Sequence, residues 1–427
     1  MATGCDPERV RELAVDDSST GAPIEAPAFN PFEPGFFADP YSRYRSLRER
    51  DPVHHSPLGL WMLFRYDDIV GLLRDPSLSV EPENAAPTLR AQVFEEVAGE
   101  RIVRRPRAIL SLDPPDHTRL RRLVSKAFTP KRVEALRPRV QQLVDEALDR
   151  VAPAARMDVI GDLAFPLPFT VICELLGMPE GERDQLREAS HTLAGTLDPI
   201  LTAEQIEAAM RASDLIRDYV TDVVAWKRAH PADDLLSALV EAEEEGDRLS
   251  EGELLDQVVL LYIAGHETTV NLIGNGTLSL LRDRSAFEQL GADADLAVNA
   301  VEELLRYDSP VQFSRRITLS DLKIGDRLIE AGSFVLTCLG SANHDPDRWG
   351  EDADRLSLAR PGAAQHLSFG SGIHHCLGAA LARLEAQVAL RTLARRFPTA
   401  TLEHEPEAWN GRIVLRGLDR LPVSLAS

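Results

Sequence analysis

From Ser250 onward the chain writes one helix of roughly 30 residues, about 45 Å long at the usual rise. Ser250 and Glu253 stand at capping-box spacing, so the start is specified locally. Leu254, Leu255, Val258, Val259, Leu260, Leu261 and Ile263 make the segment apolar on nearly every side. A helix of that kind cannot lie on a surface. It has to run through the middle of the molecule, with the rest of the chain packed around it. At its centre stand Ala264, Gly265, His266, Glu267, Thr268 and Thr269. Gly265 lowers helix stability by up to about 1 kcal/mol relative to alanine. A threonine hydroxyl can bond back to the carbonyl four residues earlier and bend the helix. Emergence into water would explain such a polar run, but Val270, Leu272 and Ile273 resume the apolar pattern. The reading is a notch in a buried helix, with Glu267 and Thr268 placed to handle protons.

A second stretch, from Phe369 to Glu385, centres on one thiol, Cys376. Gly370 and Gly372 precede it, and glycine allows positive φ and close approach by a flat body. After it, Leu377, Leu381, Leu384 and Val388 recur at helical spacing. Cys376 thus sits where a glycine-bent loop becomes a helix, and helix N-terminal N–H groups favour thiolate. A buried cysteine beside a tight turn is the plain alternative. Structural zinc needs about four ligands in paired clusters, whereas Cys5, Cys173 and Cys338 are scattered. A cysteine hydrolase would need a base and an orienting partner, and the sequence presents neither. Haem needs a single proximal ligand and close backbone approach.

Phe369, Gly370, Gly372, His374, Cys376 and Gly378, followed by Leu381, Ala382 and Arg383, resemble the haem-binding signature of the cytochrome P450 family. Ala264, Gly265, Glu267 and Thr268 resemble the same family's central-helix motif, and Glu303 with Arg306 its Glu-x-x-Arg pair. The resemblance runs from about residue 30 to the end. It implies a mainly α fold with small β-sheets, one large domain over 28–427 and a long central helix over haem b. It implies Cys376 as the iron ligand, with Ala264, Gly265, Phe369, Gly370 and Gly378 against the macrocycle. His117, Arg121, Arg316 and His374 are implied at the propionates, although Arg315 beside Arg316 makes a doublet there. Glu267 and Thr268 are implied as the proton-handling pair, and Glu303–Arg306 as a buried brace for the haem loop. The activity implied is insertion of one oxygen atom from O2 into a C–H bond of a mostly apolar molecule, of the secondary-metabolite, sterol or terpenoid kind. Electrons would come from a ferredoxin and its NAD(P)H-dependent reductase. A peroxide-driven peroxygenase, or a non-catalytic haem sensor or carrier, is the alternative, and the acid–alcohol pair speaks against both.

Composition sets the surroundings. The net charge of −21 argues against nucleic acid as a partner. No apolar run reaches the length needed to span a bilayer, and no signal peptide opens the sequence, so the expectation is a cytoplasmic monomer. Basic residues nonetheless crowd between Arg101 and Arg132, Arg121 among them, either as a solvated helix face or as a surface for an acidic electron donor. Residues 1–27 read as a poorly ordered leader. Residues 79–108 read as a long loop, which the resemblance implies to roof the substrate pocket, and prolines 166 and 168 as a break in a helical region. Periodicity fades around His191 to Leu201 before a capping box at Thr202 and Gln205. The segments 79–110, 190–205 and 311–314, with the tip of a closing hairpin between Trp409 and Val423, are the expected pocket lining.

Overall fold

The structure is a computed structural model describing residues 28–426 except 58, 100–107, 126–127, 179–182, 242 and 245–246. The leader predicted over 1–27 lies outside the described residues, as do Arg101, Arg104, Arg105, Arg107 and Lys126 of the basic stretch.

Helices dominate. Those that matter for the site are α1 (Tyr66–Arg74), α2 (Leu89–Ala98), α3 (Asp116–Ser125), α4 (Pro166–Leu175), α5 (Arg183–Ala194), α6 (Ala203–Ala229), α7 (Glu251–Arg282), α8 (Leu296–Tyr307) and α9 (Ala379–Arg396). Both capping boxes are made reciprocally, at Ser250/Glu253 opening α7 and Thr202/Gln205 opening α6. The central helix α7 packs against α4, α5, α6, α8 and α9. Its C-terminal half, from Val270 to Leu280, shares a core with Leu304 and Leu305 of α8 and Leu384, Val388 and Leu390 of α9. Its N-terminal half, with Leu254, Val258 and Leu261, packs with Ile172 of α4 and Ile216 and Val220 of α6. No described helix is long and apolar enough to cross a membrane.

The strands are β1 (Val53–His55), β2 (Trp61–Leu63), β3 (Leu78–Ser79), β4 (Arg156–Asp158), β5 (Phe313–Thr318), β6 (Phe334–Cys338), β7 (Thr401–Leu402) and β8 (Pro422–Ser424). The first sheet runs β1-β2-β6-β5-β3, antiparallel except where β6 lies parallel to β2. Its register places Arg316 opposite Val335, which turns Arg316 into the protein, while Arg315 lies over the Phe334 ring. A smaller sheet, β7-β8-β4, ties the C-terminus to the middle of the chain.

Three local expectations need correction. The predicted loop over 79–108 contains α2, capped by Thr88, whose hydroxyl accepts from the Ala91 N–H. Pro166 and Pro168 begin a helix instead of breaking one: α4 follows a π-turn at Ile160–Ala164, and a first-turn proline gives up only an N–H that has no helical partner. His191 lies within α5, and the chain leaves the helix only after Ala194.

Candidate active site

The cysteine loop is built as its glycines require. Gly370 and Gly372 have φ of +68° and +72°. A Cβ on Gly372 would meet the Leu73 carbonyl oxygen at 2.5 Å, so this loop presses against the end of α1. A Cβ on Gly378 would meet nothing, leaving its surface open to a close neighbour. The Cys376 N–H donates to the Phe369 carbonyl at 2.9 Å, and the Phe369 ring packs beneath the Arg383 guanidinium. Cys376 itself is accessible. Protein crowds its other sides, and that burial pushes the thiol pKa up. The N–H groups of Gly378 and Ala379 and the charges of Arg121 and Arg383 pull the other way without overcoming it. The helix-start donors expected from the sequence are present and favour the thiolate, but desolvation outweighs them in the free protein, and a metal ion would have to displace the proton.

Around this loop the fold gathers cationic groups without the anions to match. His117 is buried and neither ring nitrogen has a hydrogen-bond partner. Its ring lies 4.3 Å from that of His374. Arg316, only 5% exposed, donates to the carbonyls of Arg315 and Leu73 but to no carboxylate. Burial lowers its pKa to about 10. Arg121 donates to the His375 carbonyl at 2.6 Å, and burial lowers its pKa as well. His374 is driven down to about 3, first by burial and then by His117, Arg316 and Arg121. Asp113, the one carboxylate acting on Arg316 and His117, is engaged with the Ser79 hydroxyl and the Val80 N–H. Two arginines with no described carboxylate paired to them, beside two histidines held neutral and one of them without a partner, suit an anion. The two propionates of haem have the charge this cluster lacks, and an accessible thiol adjoins it.

On α7, Leu260, Ala264 and Thr268 are accessible at four-residue spacing, with Val259, Ile263 and Gly265 part-exposed beside them, while the rest of the helix between Glu253 and Leu280 is buried. One face of the central helix therefore lines an opening. Leu260 packs with Leu377, the neighbour of Cys376, on the Ile109–Leu112–Leu120 cluster, which brings that face and the cysteine loop to one place. Thr268 donates to the Ala264 carbonyl at 3.2 Å. Gly265 serves a different neighbour: a Cβ there would meet Ile172 of α4 at 3.0 Å, so its smallness admits a packed helix. Glu267 is buried and held between His191 of α5, at 3.2 Å, and Arg412, at 3.3 Å. Burial alone would raise its pKa; the His191 hydrogen bond and the charges of His266, His191 and Arg412 bring it to about 2. His266 is itself driven towards neutrality by burial, so Arg412 is the permanent charge of that set.

The predicted brace is larger than a pair. Arg306 and Glu303 are fully buried, with Nε–Oε2 and Nη2–Oε1 distances of 2.7 and 2.9 Å. Arg306 also donates to the carbonyls of Asn343, Ala353 and Arg355. Arg360 reaches the same Glu303 oxygen at 3.0 Å, and Asn343 in turn accepts from the Leu367 N–H ahead of the cysteine loop. The roles of His191, Arg412 and Arg360 are not legible in the sequence because their partners are distant in the chain. The nearest signal for Arg412 was its place in the expected hairpin tip.

A mainly helical fold in which, among the described residues, one accessible thiol stands beside two arginines and two histidines without a paired carboxylate is what a haem–thiolate protein presents. Comparison with known proteins agrees. The cytochrome P450 family model matches residues 91–415. Cytochrome P450 107B1 of Saccharopolyspora erythraea is 44% identical over 414 residues, covering 93% of this chain and 98% of the relative. 6-Deoxyerythronolide B hydroxylase of the same organism is 38% identical, covering 91% and 97%. The structure of the Bacillus subtilis bacillaene polyketide synthase cytochrome P450 PksS superposes with a TM-score of 0.84 at 37% identity, covering 93% and 100%. The chain belongs to the cytochrome P450 family. It is a monooxygenase of that family, and its cofactor is haem b.

Proposed function

We propose that this enzyme hydroxylates or epoxidises a largely apolar, uncharged secondary metabolite, with the polyketide macrolactone class the first to test. The observation that carries the reading is an apolar cluster joining Ala194 and Ile200 of the 190–205 segment, Ile263 of α7, Val311 and Phe313 before and in β5, and Ile413 and Val414 of the C-terminal tip. The segments 190–205 and 311–314 and the hairpin tip, all expected to line the pocket, thus meet on apolar residues. One relative, PksS, is named for polyketide biosynthesis and another as the hydroxylase of 6-deoxyerythronolide B, and both names support the same class.

Bound haem supplies the activation of O2 that sends one oxygen atom to a C–H bond and the other to water. Cys376 would ligate its iron, Phe369, Gly370 and Gly378 would form the surface against it, and His117, Arg121, Arg316 and His374 would neutralise its propionates. Ala264, on the accessible face of α7, would lie towards the bound group. Thr268 would hold a proton at its hydroxyl, and Glu267 would pass protons inward from solvent as a carboxylate ionised throughout the physiological range. Electrons would arrive from a ferredoxin, with the exposed Arg122, Lys131 and Arg132 near α3 as the positive surface that steers it. The cytoplasm is the expected compartment for such a partner, and the described cysteines are all free thiols, as a reducing compartment requires. A panel of macrolactones, sterols, terpenoids and fatty acids tests the substrate class by ligand-induced Soret shifts and by NAD(P)H-dependent product formation with surrogate ferredoxin. Tight binding and oxidation of a macrolactone supports the proposal; turnover confined to charged substrates overturns it.

A further inference from the structure

Glu302 of α8 stands one residue before the Glu303 brace and serves a different set of partners. Its carboxylate is buried, and Arg383 of α9 grips both oxygens, through Nε to Oε1 at 2.6 Å and through Nη2 to Oε2 at 3.1 Å. The Nε2 of His366 meets Oε2 at 3.0 Å, and its Nδ1 accepts the Ser368 N–H at 3.1 Å. Because Nδ1 is an acceptor, the ring proton sits on Nε2, and His366 is a neutral donor to Glu302. Burial favours the same neutral form. Burial alone would raise the Glu302 pKa, but the bonds from His366 and Arg383 hold it below the ordinary carboxylate range. The three side chains thus carry one negative and one positive charge.

The positive member faces the cysteine loop. The Arg383 guanidinium lies 4.5 Å over the Phe369 ring, within cation–π range. The carbonyl of that same Phe369 accepts the Cys376 N–H. The loop is pinned against this group: the Leu367 N–H donates to Asn343, and the Ser368 hydroxyl donates to the Leu305 carbonyl of α8. An exposed ion pair would be screened by water. Here the carboxylate side chain is 8% exposed and the contact is bidentate, so the charges keep fixed places behind the ring.

We propose that Arg383 and Glu302 are positioning residues that set the reduction potential of the bound haem, Arg383 as a cation held behind the Phe369 ring and Glu302 as the carboxylate that fixes and neutralises it. The role rests on Cys376 as the iron ligand. One-electron reduction by the ferredoxin adds one negative charge to the iron–thiolate unit. A cation left unneutralised beside the loop favours the reduced form, and a carboxylate left unneutralised there favours the oxidised form. Removing either partner should therefore move the potential, and the two removals should move it in opposite directions.

The test uses the full-length haem-loaded enzyme with Glu302→Gln, Arg383→Gln, Arg383→Lys and the double variant Glu302→Gln/Arg383→Gln. Equilibrium potentiometry with mediator dyes at about pH 8, where His366 stays neutral, needs neither ferredoxin nor substrate. Glu302→Gln should shift the ferric–ferrous balance about five- to tenfold towards ferrous, and Arg383→Gln by a similar factor towards ferric. Tenfold is about 59 mV for a one-electron couple. The double variant should return to within about threefold of wild type, because no charge is left unpaired. Arg383→Lys keeps the charge without the fork and should also stay within about threefold. The infrared C–O stretch of the ferrous carbon monoxide complex should rise in Glu302→Gln, where the sulfur donates less, and fall in Arg383→Gln. A loop that is merely loosened shifts both single variants the same way. Shifts of one sign, no shift in either, or a lysine variant displaced as far as Arg383→Gln therefore overturn the proposal. A wild-type carbon monoxide complex without the red-shifted Soret band overturns the Cys376 assignment and this role together; with that band present, the potentials decide this role alone.

Discussion

The cation cluster makes a prediction whose sign depends on whether haem is present. Replacing Arg316 with methionine keeps an unbranched apolar stem and removes the guanidinium and its charge. In the apoprotein that charge is an expense: burial brings its pKa to about 10, which corresponds to roughly 3 kcal/mol against the folded state. The folded-state pKa of a base is depressed, so this penalty is fully present at neutral pH. It fades only as pH climbs above about 10 towards the ordinary arginine range. Against the relief stands the loss of donors to the Arg315 and Leu73 carbonyls, together on the order of 1–3 kcal/mol. The apoprotein should therefore be unchanged or gain up to about 2 kcal/mol of stability in urea. The holoprotein should lose a charge-assisted bond to a propionate, roughly 1.5–3 kcal/mol, read as about ten- to hundredfold faster or more complete haem transfer to excess apomyoglobin. His374, held at about 3 partly by Arg316, should titrate higher in the variant apoprotein, as followed by NMR. If the apoprotein loses 3 kcal/mol or more while haem transfer is unchanged, Arg316 is a structural residue and the reasoning fails.

Other consequences follow from the same geometry. Arg306→Leu strands part of the Glu303 charge and three backbone carbonyls in the interior and should cost roughly 3–5 kcal/mol in urea denaturation; a loss under 1 kcal/mol would show that Arg360 alone sustains the brace. Gly372→Ala combines positive φ with a Cβ 2.5 Å from the Leu73 carbonyl, so it should displace the cysteine loop and reduce haem content of the purified protein, whereas Gly378→Ala should leave the apoprotein's stability within about 1 kcal/mol of wild type. Thr268→Ala should keep ligand binding within about twofold but divert electrons from product to peroxide, measured as peroxide formed per NAD(P)H; an unchanged ratio contradicts the proton role. Glu267 carries a depressed pKa of about 2, so its stabilisation is complete above the ordinary carboxylate range and declines as pH falls towards 2. The stability difference between wild type and Glu267→Gln should narrow over that acid interval, and a constant difference would show the ion pairs to be unimportant.

What the sequence disclosed was whatever is encoded within a few residues. Ser250 with Glu253, and Thr202 with Gln205, specify helix starts because both partners of each box lie within one turn. The glycines around Cys376 declare a bent loop, and Glu303 with Arg306 declare a helix-face pair. The apolar run after Leu254 declares burial. What stayed hidden depends on partners far along the chain. Arg156–Asp158 becomes a strand only because Pro422–Ser424 lies beside it. Arg360 joins Glu303 from 57 residues away, and Arg412 joins Glu267 from 145. Residues 89–98 lack a strong apolar stripe, so α2 left little periodicity to read. Pro166 and Pro168 were ambiguous because proline ends one helix and starts another equally well. The direction of the Cys376 shift was also beyond the sequence, since it depends on how closely the surrounding protein excludes water.

The most direct measurement is the carbon monoxide difference spectrum of the dithionite-reduced protein beside that of Cys376→Ser. The wild-type enzyme should show the strongly red-shifted Soret band of thiolate-ligated haem, and the variant should lose that band while its far-UV circular dichroism stays helical. An unshifted band in the wild-type protein, or a red-shifted band retained by Cys376→Ser, would contradict the assignment of Cys376 as the iron ligand.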